Sequence, residues 1–191
     1  MTESRQTPSC VARLVLLLLL FACALSTPAR DVDVRALSSH LEEGRLIIDA
    51  TIDIRLSDSI REALENGVTL QFDLDTRLLR PRRLWWDGVL LQGTRHYQLS
   101  RHALADGYLV SEVDADNQQT YKRLDDALQA LGTLDRFVAG TVDDDQPPPK
   151  YRGRLRLRLD IEALPAPLRP VAYVSPSWRV SSGWYEWSFA P

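Results

Sequence analysis

The chain has 191 residues, 45% of them hydrophobic and 26% charged, with a formal net charge of −3. That balance belongs to a folded globular protein and excludes a disordered or fibrous one. The mild acidity also argues against a nucleic-acid binder, which needs a concentrated positive footprint.

The first thirty residues differ from the rest. Arg5 and Arg13 precede the apolar run Leu14–Leu25, and small residues follow at Ser26, Thr27 and Ala29. A run shorter than the roughly 20 apolar residues of a membrane span, with a basic start and a small-residue exit, describes a secretory signal peptide. The expected division is a leader over residues 1–29 and one β-rich envelope domain over residues 30–191. Cleavage fits after Ser26 or after Ala29, and Leu20-Phe21-Ala22-Cys23 offers a third route through acylation of Cys23. Losing one acid, Glu3, and two bases, Arg5 and Arg13, takes the net charge from −3 to −4. Both cysteines, Cys10 and Cys23, leave with a leader cut near Arg30. The remaining chain then has no disulfide or cysteine-based metal site to lean on and relies on its core, for which about 160 residues suffice. The expected location is the periplasm or another compartment beyond the inner membrane, with lipid anchoring the lesser option.

Beyond the leader, apolar and polar residues alternate with period two. Ile48, Ala50, Ile52, Ile54 and Leu56 take one face of a strand, and Asp49, Thr51, Asp53 and Arg55 the other. Val68, Leu70, Phe72 and Leu74 oppose Thr69, Gln71, Asp73 and Asp75. Leu155, Leu157, Leu159 and Ile161 oppose Arg154, Arg156, Arg158 and Asp160. Strands with one apolar and one charged face predict antiparallel sheets. The facing Asp and Arg residues are expected to contribute tenths of a kcal/mol per pair and keep the outer face wet. Turn residues support hairpins: Glu42-Glu43-Gly44 between Val34–Leu41 and Leu46–Leu56, and Asp106-Gly107 between Tyr97–Leu104 and Tyr108–Val113. Asp116-Asn117 predicts another turn, before a short strand at Gln119–Lys122.

Two segments switch to helical spacing. Ser57 is placed to cap a helix from Asp58 that stops at Gly67, with Ile60, Ala63 and Leu64 on one face. Asp125 is placed to cap a second, from Asp126 to Leu131, ended by Gly132. Both are short enough to plug the ends of a sandwich or barrel. Pro81 breaks the strand pattern at Arg80-Pro81-Arg82-Arg83-Leu84-Trp85-Trp86. Val142–Pro149 reads as a solvated acidic and proline-rich loop, and Leu164–Pro170 as a proline-punctuated connection. The last stretch, Trp184–Phe189, reads as a closing strand after a turn at Ser182-Gly183. Tyr185, Trp187 and Phe189 share one face, which is expected in the core.

In this order the stretches Leu56–Gly67, Arg80–Arg82 with Trp85-Trp86-Asp87, and Leu99–Leu104 carry a resemblance. So do Leu124–Gly132, Leu164–Leu168 and Ser182–Trp187. Together they resemble the domain-of-unknown-function family numbered 4390, secreted envelope proteins of Gram-negative bacteria. The resemblance implies an envelope location and one domain, and it implies no activity. Genes for similar proteins tend to lie near one for a two-component sensor kinase, an association that points to membrane signalling.

Little in the chain carries chemistry. Ser100 and His102 share a strand face, yet no Gly-x-Ser-x-Gly elbow or Ser-x-x-Lys pair accompanies them, so a structural histidine is the expectation. His-Glu-x-x-His is missing, and Asp143-Asp144-Asp145 lacks the spacing of a calcium loop. No catalytic, cofactor-binding or metal residue is assigned, and no cofactor is expected. The candidate interaction patch is Arg80, Arg82, Arg83, Trp85 and Trp86, since arginines beside tryptophans suit anionic headgroups, glycans or an acidic partner.

The expected fold is therefore a mainly β, single antiparallel β-sandwich, or one closing towards a barrel, with two short helices. The expected function is that of a non-enzymatic binding or regulatory module in the envelope, accessory to a membrane signalling system and partnered by an envelope or membrane protein. The alternative is a carrier of a lipid or other apolar ligand between its sheets.

Overall fold

A computed structural model describes residues 31–82, 86–102, 106–115, 117–144 and 147–190. The leader with its cleavage sites, Cys10 and Cys23, and also Arg83, Trp85, Asp116 and Asp145, lie outside the described residues.

The first hairpin forms where expected. Strand β1 (Val32–Glu42) pairs antiparallel with β2 (Arg45–Ile54) across Glu43 and Gly44. Both turn residues have positive φ, 50° and 74°, the geometry whose twist matches the flanking strands. On β2 the residues Leu46, Ile48, Ala50, Ile52 and Ile54 are all buried. Ser57 then accepts a hydrogen bond from the Ile60 backbone N–H at 3.4 Å and opens helix α1 (Asp58–Glu65), which buries Ile60 and Leu64. The chain turns at Gly67, with φ 86°, into β3 (Leu70–Arg80).

Strand β3 is central. It pairs antiparallel with β4 (Gly88–His102) on one side and β8 (Tyr151–Leu159) on the other. The order of the six-stranded sheet is β6-β5-β4-β3-β8-β9, with β5 at Gly107–Glu112, β6 at Gln118–Tyr121 and β9 at Tyr185–Phe189. Strand β7 (Thr133–Thr141) pairs with β2 and completes a three-stranded sheet of order β1-β2-β7. Apolar residues from both sheets form one cluster, as two antiparallel sheets must when each has one apolar face.

Several expectations need correcting. Neither sheet closes on itself, so the structure is not a barrel: β6 and β9 are the edges of one sheet, β1 and β7 of the other. The described residues hold three helices rather than two. Helix α2 (Leu124–Gly132) starts earlier than expected, with Arg123 at its N-cap and no side-chain cap; Asp125 lies in its first turn. There the carboxylate favours the positive end of the helix dipole without capping it. This helix fills the side between the sheets with Leu124, Ala127, Leu128 and Leu131. The third helix, α3 (Arg169–Val174), and a 3₁₀ turn (Pro176–Trp178) occupy the stretch read as a connection. Pro170 sits in the first turn of α3, where its missing N–H costs nothing.

The closing strand is present but less buried than expected. Trp187 and Phe189 are half-buried against the core, and Tyr185 stands in solvent. The reason is that β9 is an edge strand, paired within its sheet with β8 alone. The deeper anchors come earlier, at Trp178 and Val180. Val180 O accepts from Leu159 N, and Ser182 N donates to Leu157 O, so the last segment follows β8 almost from end to end.

Candidate functional site

Pro81 ends β3 and leaves Arg80 as its last residue. The Arg80 guanidinium turns inward to pair with Asp144, whose side chain is 3% exposed. Tyr151 also donates to Asp144, at 3.2 Å. Burial pushes the Tyr151 hydroxyl up from its ordinary range, and the neighbouring carboxylate adds to that. Part of the loop expected to be a solvated acidic stretch is therefore an internal ion pair.

Two residues on, Arg82 is exposed. Its backbone N–H donates to Asp87 Oδ1 at 3.3 Å, and Asp87 Oδ2 accepts from Arg152 at 2.5 Å. The Arg82 guanidinium lies over Gly88, where an added Cβ would stand 3.3 Å from it. Trp86 is 91% exposed. Of the five patch residues, Arg80 is committed to Asp144, while Arg82 and Trp86 present themselves to solvent on a backbone tied down by Asp87.

A second cluster lies on the outer face of the large sheet. Asp73 and Asp75 project from central β3 between β4 and β8, and both residues are buried. Asp73 Oδ1 lies 2.7 Å from Nδ1 of His96, and its Oδ2 lies 2.6 Å from Arg158. Asp75 accepts from Thr94 at 2.8 Å and from Arg156 at 2.6 Å. Burial pushes the Asp75 carboxyl up, but hydrogen bonds from Arg156 and Thr94 and the charges of Arg156 and Arg158 outweigh it, leaving the carboxyl below its usual range. Trp184 roofs the cluster, with Arg77 and Arg156 at 4.8 Å and 4.5 Å from its ring centre. These residues do more than keep a face wet. Short aspartates on a central strand are covered by long arginines from the next one.

A third feature is a cleft of about 450 Å³ where the two sheets part. Its wall carries Tyr97, Val110, Leu131, Leu134 and Phe137. Arg95 is paired with Glu112 at 3.0 Å and lies 5.9 Å above the Phe137 ring. Burial, with Glu112 nearby, pushes the Tyr97 hydroxyl up to about 12.

Ser100 and His102 lie on the same face of β4, both half-buried near its end. Among the described residues no group of three or more His, Cys, Asp or Glu is placed to hold a metal ion. No described helix is long and apolar enough to cross a membrane.

The fold defines a mainly β protein of two antiparallel sheets. The model for the domain of unknown function DUF4390 matches residues 29–188, which places the chain in that family. No curated protein matches, and no solved structure matches.

Proposed function

We propose that this protein is a non-enzymatic binding or regulatory module of the cell envelope. It engages an envelope or membrane protein through the β3–β4 end, and acts as an accessory to membrane signalling. In this reading residues 1–29 are the export signal and residues 30–191 work as one unit in the periplasm. The exposure of Trp86 carries the proposal. A tryptophan left 91% in solvent forgoes the burial that aromatic side chains normally supply, and an arginine beside it completes the composition of an interface anchor. The packed interior supports the same reading, because Phe72 from the large sheet and Leu46 and Ile48 from the small one are fully buried in one cluster.

The test is co-purification from envelope extracts with wild-type chain and with Arg82→Glu/Trp86→Ala. Loss of a specific partner from the variant is expected. Equal recovery of every partner by both proteins overturns the proposal.

A second reading is that of a carrier, favoured by the cleft lined by Tyr97, Val110, Leu131 and Phe137. It predicts that a bound apolar or amphipathic molecule co-purifies and is displaced by Val110→Trp, which would fill the cleft.

A further inference from the structure

Between Ala163 and Trp178 the sequence has one charged residue, Arg169. Helix α3 sits in that stretch and buries only Ala172. Its other apolar side chains face outward: Val171 is 54% exposed, Tyr173 51% and Val174 78%. Pro167 and Pro170 beside them are exposed too. Several exposed apolar side chains gathered on one short helix mark a contact rather than a solvated face.

Its position says what the contact is. The first described residue, Asp31, accepts a hydrogen bond from Arg55 N through its carbonyl at 2.7 Å. Two residues further on, Ser57 Oγ donates to the carbonyl of Ser177 at 2.9 Å, in the turn that directly follows α3. The point where the amino-terminal segment joins the fold and the apolar surface of α3 thus share one end of the molecule. The apolar run Leu14–Leu25 stops six residues before Asp31, which spans at most about 20 Å even when fully extended. Trp86 lies at the opposite end. β3 starts next to α1 and runs 11 residues away from it to Arg80, a length of roughly 35 Å.

We propose that in the anchored form of the chain, with the apolar run retained or Cys23 acylated, the α3 surface lies on the lipid surface and the Trp86 end points away from it. Tyrosine with small apolar neighbours suits the boundary between headgroups and acyl chains. Arg179, exposed directly after the turn that follows α3, suits anionic headgroups, whereas Arg55 is already paired with Asp53 at 2.7 Å. Three partly exposed side chains hold a bilayer weakly by themselves. Next to an anchor they need only act as the second contact, because the tether keeps their effective concentration at the surface high. The inference concerns the end opposite the proposed partner site and applies to chains that keep their anchor rather than to those cut after residue 29.

The experiment uses the full chain reconstituted into vesicles of phosphatidylethanolamine and phosphatidylglycerol that contain a carbene-generating lipid. After photolysis, two tryptic peptides are compared: Leu159–Arg179, which holds α3, and Leu84–Arg95, which holds Trp86. The expected result is several-fold more label in Leu159–Arg179. Val171→Asp/Val174→Asp removes that excess while the protein stays in the vesicles, and Arg82→Glu/Trp86→Ala leaves it unchanged. Equal labelling of the two peptides, or labelling of Leu159–Arg179 that the two aspartates do not reduce, overturns the proposal. So does an unlabelled Leu159–Arg179, the outcome if a second copy or another protein covers α3.

Discussion

The indole of Trp187 occupies the space that a side chain at Gly153 would fill. The two residues face each other across β8 and β9, and a Cβ at position 153 would stand 2.2 Å from Trp187 Cζ2. The same indole donates its N–H to Ser39 Oγ at 2.7 Å, on β1 of the other sheet. One aromatic residue therefore joins the edge of the large sheet to the small one. Gly153→Val should destabilise the fold by about 1–3 kcal/mol through overpacking, read as a lower urea midpoint at unchanged slope. Removal of Trp184–Pro191 takes away the whole edge strand with this contact, and is expected to leave a chain that does not fold. Soluble, protease-resistant material from that truncation would contradict the closing role of β9.

The two patch arginines should behave differently. Arg80→Ala removes the arginine that pairs with the nearly buried Asp144 carboxylate, and breaking such a pair costs on the order of 3–5 kcal/mol. Arg82→Ala touches an exposed side chain and should shift stability by no more than about 0.5 kcal/mol. Chemical denaturation of the two variants checks this directly. A similar cost for both would mean that Arg82 is also a structural residue.

The outer-face cluster predicts a dependence on acid. Asp75 is held below its ordinary range in the folded protein, so its ionised form favours folding. That contribution is fully present above the ordinary carboxylate range and is lost as the pH falls through the lowered value. Asp75→Asn should flatten the acid limb of a stability–pH curve and lower stability at neutral pH. An unchanged acid limb would show that Asp75 titrates alike in the folded and unfolded chain.

The alkaline side belongs to Tyr97. Its hydroxyl is raised to about 12, so the neutral form is favoured by folding. That stabilisation is complete below about 10, the ordinary tyrosine value, and is lost as the pH rises to the folded value. In an ultraviolet titration of phenolate, Tyr97 and Tyr151 should both ionise after the exposed tyrosines, and Tyr97→Phe should reduce that late phase by one phenolate. A late phase of unchanged size would assign it elsewhere.

Much of the fold was legible in the sequence because alternation reports which face of a strand is buried. The inward residues of β2 and β8, the Glu43-Gly44 turn and the Ser57 cap all follow from spacing and local chemistry. Strand β7 was missed: its residues run Thr133-Leu-Asp-Arg-Phe-Val-Ala-Gly-Thr141, with Arg136 at φ 47° and register shifts against β2 that break the alternation. The Asp73, His96 and Arg158 cluster was equally hidden, since the register of β3 against β8 joins segments some eighty residues apart. The candidate patch was readable as composition alone. That Arg80 points inward to Asp144 while Trp86 points out could only come from the fold.

The most direct test of the binding reading is a photo-reactive amino acid placed at position 86 and, as control, at exposed Gln118, with cross-linking in living cells. The account predicts a discrete adduct with an envelope protein from position 86 and none from position 118. No adduct from position 86, or the same adducts from both positions, would contradict it.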